Sequence, residues 1–263
     1  MGNIHENIKK DLLYLYNELY CLSQCESAGN FFDKKFLRSL KYKPEVRILW
    51  AKSSPPRKVL SLSKTRIAVF VSGGGTNLQA LIDAAKRGEI PSGEIALVLA
   101  SNDKAYALTR AAENNIPSVV VKRKEFETQL AYEEAVKAIL AENSIDMIVL
   151  AGFMSILSEN FTAAYPKRIV NVHPSLIPSF CGKGFYGLHV HEAALAYGVK
   201  VTGATVHYVN EIPDGGEIIL QKAVEIEEGD TPEVLQRRVM EQAEWILLPK
   251  AVEMVAARLQ KGQ

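Results

Sequence analysis

From Arg66 onward the chain alternates short, wholly apolar runs with amphipathic stretches, and this alternation leaves few architectures open. Residues 67–71 (Ile-Ala-Val-Phe-Val) and 147–151 (Met-Ile-Val-Leu-Ala) carry no polar side chain at either parity. A strand of that kind is buried on both faces, as in a parallel sheet covered by helices. Further strands are expected at 95–100, 119–121, 168–171, 204–209 and 218–224. Helices are expected at 78–87, up to residue 114, at 128–142, near 191–197 and at 232–259. Strand followed by helix followed by strand requires crossover connections, so the fold class is α/β: a doubly wound, mostly parallel, Rossmann-like sheet. Such sheets bind ligands beyond the carboxyl ends of their strands, near the point where strand order reverses.

Three segments fall at those ends. Ser72-Gly73-Gly74-Gly75-Thr76-Asn77 joins a strand to a helix, where free amides and the helix dipole attract an anion. It lacks the third glycine of a dinucleotide fingerprint and the Gly-Lys-Ser/Thr of a P-loop, so a monophosphate suits it better than NAD or ATP. A tight turn that binds nothing has the same composition. Gly152-Phe153-Met154 follows the second apolar strand. The third segment, Asn171-Val-His173-Pro-Ser-Leu-Ile-Pro178, puts an amide and an imidazole on one side of an extended backbone. That pairs a neutral donor with a group able to exchange protons near neutral pH. Asp214, in Pro213-Asp214-Gly215-Gly216 between two strands, offers a carboxylate that would raise the pKa of His173 by its charge. The structural alternatives are that His173 ends a strand and that Asp214 opens a turn. His189 and His191 form His-x-His, but no further ligand stands at zinc spacing, so no metal is expected. His207 shares a strand face with Thr205. Glu244, on the amphipathic last helix, is either a surface residue or a ligand to a sugar hydroxyl or amine, and its surroundings in the sequence favour the surface.

Of the 263 residues, no apolar run is long enough to cross a bilayer and no leader-like segment follows Met1, so a cytoplasmic protein is expected. Cys21, Cys25 and Cys181 suggest reduced thiols rather than a disulfide framework. Charge is uneven. Residues 1–66 hold 13 Lys/Arg against 6 Asp/Glu, a net of +7, and the remainder holds 18 against 24, a net of −6. The expected organisation is a basic N-terminal helical extension over 1–64, with one amphipathic helix at 3–22, and a catalytic domain over 65–263. A basic arm can touch nucleic acid, but this one carries no RNA-binding signature and reads as a solvated extension.

Ser-Gly-Gly-Gly-Thr-Asn-Leu-Gln, Leu-Ala-Gly-Phe-Met, Asn-Val-His-Pro-Ser-Leu-Ile-Pro and Gly-Ala-Thr-Val-His-Tyr-Val-(x)₄-Asp-Gly-Gly together resemble the formyltransferase family that uses 10-formyltetrahydrofolate. The resemblance covers residues 66–260. It implies formyl transfer from 10-formyltetrahydrofolate, as co-substrate and without a metal, to the amine of glycinamide ribonucleotide in purine biosynthesis. It implies a catalytic trio of Asn171, His173 and Asp214. Gly75, Thr76 and Asn77 would hold the ribonucleotide phosphate and Glu244 another part of that substrate. Met154, Ser155, Ile156 and Leu157 would face the folate. It further implies an arginine helping to hold phosphate where Gln129 stands, with Lys122, Arg123 or Lys124 as replacements. The rival expectations are a formyltetrahydrofolate hydrolase, which shares the trio, and a non-enzymatic sensor of phosphate ligands.

Overall fold

The structure, a computed structural model, describes residues 63–262. The expected helix at 3–22 and nearly all of the basic extension lie outside the described residues. The described strands are β1 (Thr65–Val71), β2 (Gly93–Ala100), β3 (Ser118–Val120), β4 (Met147–Leu150), β5 (Ile169–His173), β6 (Val201–Tyr208) and β7 (Ile218–Glu225). The helices are α1 (Thr76–Lys86), α2 (Ala107–Glu113), α3 (Gln129–Glu142), α4 (Glu159–Ala164), α5 (Leu188–Tyr197), α6 (Pro232–Val239) and α7 (Trp245–Gln260).

One sheet contains all seven strands in the order β3-β2-β1-β4-β5-β6-β7. Neighbours from β3 to β5 are parallel, and β6 pairs antiparallel with β5 and with β7. Strand order reverses between β1 and β4, so the loops after these two strands flank the crevice where a ligand is expected.

The apolar runs explain the two-sided burial. Ile67, Val69 and Val71 face one cluster with Leu78 and Leu81 of α1 and with Leu248 and Val252 of α7. Ala68 and Phe70, at the other parity, face Tyr132 and Leu140 of α3 and Phe161 of α4. Each large side chain so buried contributes about 1.5–3 kcal/mol, and the pattern leaves no face of β1 for water. Local signals set the helix starts. Thr128, Ser158 and Thr231 each accept a hydrogen bond from a backbone amide of the first turn of α3, α4 and α6.

Two elements differ from the sequence expectation in ways that position the site. β5 extends to His173, so Asn171 and His173 are held by strand pairing rather than by a loop. The expected single helix at 232–259 is broken by a π-helical turn, Met240–Glu244, between α6 and α7. The wider turn inserts one residue into the regular winding and re-aims the side chains it carries.

Candidate functional site

Asn171 lies opposite His207, and His173 opposite Thr205, in the β5–β6 pairing. Alternation puts these four side chains on one face, while Val170, Val172 and Val206 turn into the core. The loop between β6 and β7 then brings Asp214 over this face, with φ +56°. Gly216 makes that approach possible, because a Cβ there would lie 1.7 Å from the carbonyl oxygen of Tyr208.

Asp214 ends between two imidazoles. Its Oδ2 is 3.5 Å from Nδ1 of His173, and its Oδ1 is 3.5 Å from Nε2 of His207. Oδ2 also accepts from the Gly182 amide at 2.9 Å, and Oδ1 from Nδ2 of Asn171 at 3.4 Å. The Asp214 carboxyl is pushed up by burial, but the polar contact with His207, the charge of His173 and the Gly182 amide outweigh that and hold it below its usual value.

His173 behaves differently from the expectation. It is buried, and burial lowers its pKa more than the Asp214 carboxylate raises it. The proton positions follow from the partners. Nε2 of His173 faces the carbonyl oxygen of Phe180 at 2.8 Å, so it carries a hydrogen. In the neutral ring Nδ1 is then unprotonated, and it is the atom beside Asp214. The next proton taken up by this imidazole therefore lands on Nδ1, against a carboxylate.

His207 was read from the sequence only as a strand residue, and the structure makes it part of the site. Its Nδ1 donates to the carbonyl oxygen of Tyr208 at 2.7 Å, leaving Nε2 to accept from Nδ2 of Asn171 at 3.1 Å. That bond fixes the rotation of the Asn171 amide. Period-two alternation places His207 beside Thr205, but only strand pairing reveals that both face Asn171 and His173.

The second cluster forms at the start of α1. Gly75 is in the left-handed region, φ +71°, and no side chain caps the helix. The first amides of α1 are left open in front of Thr76 and Asn77. Ser72 ties this loop to the neighbouring strand ends: its Oγ accepts from Oγ of Ser101 at 2.7 Å and from the Met154 amide at 2.9 Å. Asn77 donates from Nδ2 to Oε2 of Glu244 at 2.7 Å, and its own Oδ1 has no partner among the described residues. Glu244 is thus not a surface residue. It is 6% exposed, and burial pushes its carboxyl up to about 7, partly offset by the Asn77 bond. It stands four residues before Leu248 and seven before Ala251, on the stripe that α7 buries, and its carboxyl meets α1 at Asn77.

A third group lines a cavity of about 130 Å³. Ser155, Ile156 and Leu157 form one wall, Val209, Ile212 and Pro213 another, and Asn171, His207 and Asp214 close the end. Met154, expected among these, contributes its backbone amide to Ser72, while its side chain is 56% exposed and does not line the cavity. Gln129 stands where the resemblance has an arginine. Its Nε2 donates to Glu133 at 2.6 Å and to the carbonyl oxygen of Ile156 at 3.2 Å, and its Oε1 accepts from Nε of Arg123 at 2.7 Å. With glutamine there, the position braces the 154–157 segment. Among the described residues no cluster of three potential metal ligands occurs, and no helix is long and apolar enough to cross a membrane.

Comparison with known proteins agrees with this geometry. The sequence model of the formyl transferase family matches residues 65–252. The phosphoribosylglycinamide formyltransferase of Haemophilus influenzae is 41% identical over 188 residues, covering 72% of this chain and 85% of that protein. The human trifunctional purine biosynthetic protein adenosine-3 is 42% identical over 194 residues. The match takes in 74% of this chain but only 18% of that protein, so the chain spans about a fifth of the trifunctional relatives' length. The crystal structure of glycinamide ribonucleotide transformylase 1 from Symbiobacterium toebii superposes with a TM-score of 0.69 at 38% identity, covering 74% of this chain and 88% of that one.

Proposed function

The chain belongs to the formyl transferase family, and we propose that it transfers a formyl group from 10-formyltetrahydrofolate to the amine of glycinamide ribonucleotide. The observation carrying this reading is the convergence of Asn171, His207 and Asp214 at one end of a mostly apolar cavity, with His173 in contact with Asp214. The apolar walls suit a flat pterin, and the polar end suits a reacting carbonyl. The open amides of α1, with Thr76, Asn77 and Glu244, suit the phosphate and polar groups of a ribonucleotide.

The chemistry follows from these positions. The amine attacks the formyl carbon, a C–N bond forms, and negative charge builds on the formyl oxygen. Asn171 donates toward that oxygen, and His173, whose pKa burial lowers, joins it from Nδ1 once a proton has been taken up there, its 3.5 Å contact to Asp214 being loose enough to give way; a well-placed donor is worth about 3–4 kcal/mol. Nδ2 of Asn171 has both hydrogens engaged, and the 3.4 Å contact to Asp214 is the weaker one, so it is the one released to substrate. Asp214 stabilises the proton on Nδ1 of His173. The proton lost by the attacking amine ends on N10 of tetrahydrofolate as the N10–formyl bond breaks, and Asp214 is the acceptor best placed to relay it.

The test is release of tetrahydrofolate from 10-formyltetrahydrofolate with and without glycinamide ribonucleotide. Amine-dependent release supports the transferase. Release without the amine indicates hydrolysis, and no release in either mixture overturns catalysis altogether.

A further inference from the structure

A loop that offers its amides to a phosphate turns its carbonyl oxygens away, and those oxygens need partners of their own. Here they find them on α2. The carbonyl oxygen of Gly73 accepts from the Ala107 amide at 3.2 Å, and that of Gly74 accepts from Nε of Arg110 at 2.9 Å. The same guanidinium donates from Nη1 to Oε1 of Gln79 on α1 at 3.0 Å. Gln79 is itself oriented, because its Nε2 donates to Oδ1 of Asp83 at 2.9 Å. The ring of Tyr106 lies 5.1 Å from the guanidinium carbon and holds its plane. Arg110 is thus a two-pronged clamp between the glycine loop and the first turns of α1. At Gly75 the packing is closer still, since a Cβ there would lie 2.7 Å from Cβ of Ala107.

We infer that Arg110 is a positioning residue for phosphate: it fixes the back of the Gly73–Gly75 loop so that the front amides converge on the ribonucleotide phosphate. The inference rests on the reading that Gly75, Thr76 and Asn77 bind that phosphate. The clamp requires the planar fork of arginine; lysine, with a compact charge, cannot bridge both oxygens in the same way. A cavity of about 270 Å³ bordered by Thr76, Gln79, Asp83, Arg87 and Trp245 opens beside Arg110, giving a small cation access to the vacated space.

The experiment compares wild type, Arg110→Ala, Arg110→Lys and, as a control for charge on the same cavity wall, Arg87→Ala. Arg87 is paired with Glu89 and touches no loop carbonyl. In Arg110→Ala the KM for glycinamide ribonucleotide should rise about 10- to 100-fold, the loss expected for a hydrogen bond from a charged group. The kcat at saturation and the KM for 10-formyltetrahydrofolate should stay within about threefold, and millimolar guanidinium should restore part of the loss. Arg110→Lys should resemble Arg110→Ala, and Arg87→Ala should resemble wild type. Inorganic phosphate, used as an equilibrium binding probe, should weaken in parallel with KM. If wild type binds phosphate and Arg110→Ala binds it equally well, the inference is overturned while the site reading stands. If wild type binds neither phosphate nor ribonucleotide, both fall. An equal change in kcat and in both KM values would mark a general structural role and would also overturn it.

Discussion

Asn77 and Glu244, 167 positions apart in the chain, share a 2.7 Å hydrogen bond inside the protein. The bond joins the first turn of α1 to the π turn ahead of α7, and so links the glycine loop to the C-terminal helix. Among the described residues it is also the one hydrogen bond holding a carboxyl that burial has pushed up to about 7.

Stability should therefore depend on Glu244 in a defined pH window. The folded pKa is about 7 against a reference of 4.5, so between these values the native state binds more protons than the unfolded chain. The associated stability is complete below about pH 4.5 and is lost as the pH rises through 7, a change of about 3 kcal/mol. Urea unfolding of wild type and Glu244→Gln between pH 5 and 8 measures it. The variant should gain on wild type as the pH rises; parallel curves would contradict the assignment.

Catalysis should fail selectively when the trio is broken. His173→Ala should lower kcat about 10²- to 10⁴-fold with substrate binding largely kept. Asp214→Asn should also be severe, and asparagine tolerates the φ of +56° at this position, so the loss reports charge rather than turn geometry. NMR titration of His173 gives a second readout. The Asp214 charge raises the His173 pKa, so Asp214→Asn should lower it further. Near-normal turnover in both variants would remove the proposed mechanism.

Neighbouring glycines should respond in opposite ways. Gly75→Ala places a methyl 2.7 Å from Cβ of Ala107 and 2.9 Å from its Cα, at a positive φ. It should cost about 1–3 kcal/mol in thermal unfolding and disable phosphate binding. Gly74→Ala meets nothing within 4 Å, so its melting temperature should match wild type. Similar melting temperatures for the two variants would show that α2 does not constrain the loop.

His191 is fully buried, and neither ring nitrogen has a partner among the described residues. Burial, and then the charge of His173, lower its pKa to about 4. The unfolded chain thus takes up a proton near pH 6.5 that the native state refuses until about pH 4, and stability falls as the pH drops between them. His191→Leu should remove that acid limb and gain about 2 kcal/mol at pH 5 in chemical denaturation. A loss at pH 5 would mean that the imidazole has a partner of consequence.

Much of the frame was legible from residues alone. The apolar runs gave β1 and β4 nearly to the residue, and the Ser-Gly-Gly-Gly-Thr-Asn stretch marked the strand-to-helix junction after β1. His207 was not legible, because alternation assigns a strand face but says nothing about which strand lies opposite. Glu244 escaped for a different reason: a carboxylate reads by default as solvent-facing, although it stands four residues before Leu248 and seven before Ala251 on the stripe that α7 buries. What Gln129 does in place of the arginine was not legible either, because a resemblance gives no direction to a residue that departs from it; its hydrogen bonds run to Ile156 and Glu133.

The π turn also makes this stretch of chain unequal in its tolerance of length changes. Removing one residue between Met240 and Ala243 would let the coil close to ordinary α winding and leave residues 245–260 in phase with the sheet. Adding or removing a residue between 232 and 239, or between 245 and 247, would rotate everything beyond it by about 100° and turn Leu248 and Val252 out of the core. The helix thus carries its own expansion joint, set directly beneath the acidic group that meets Asn77.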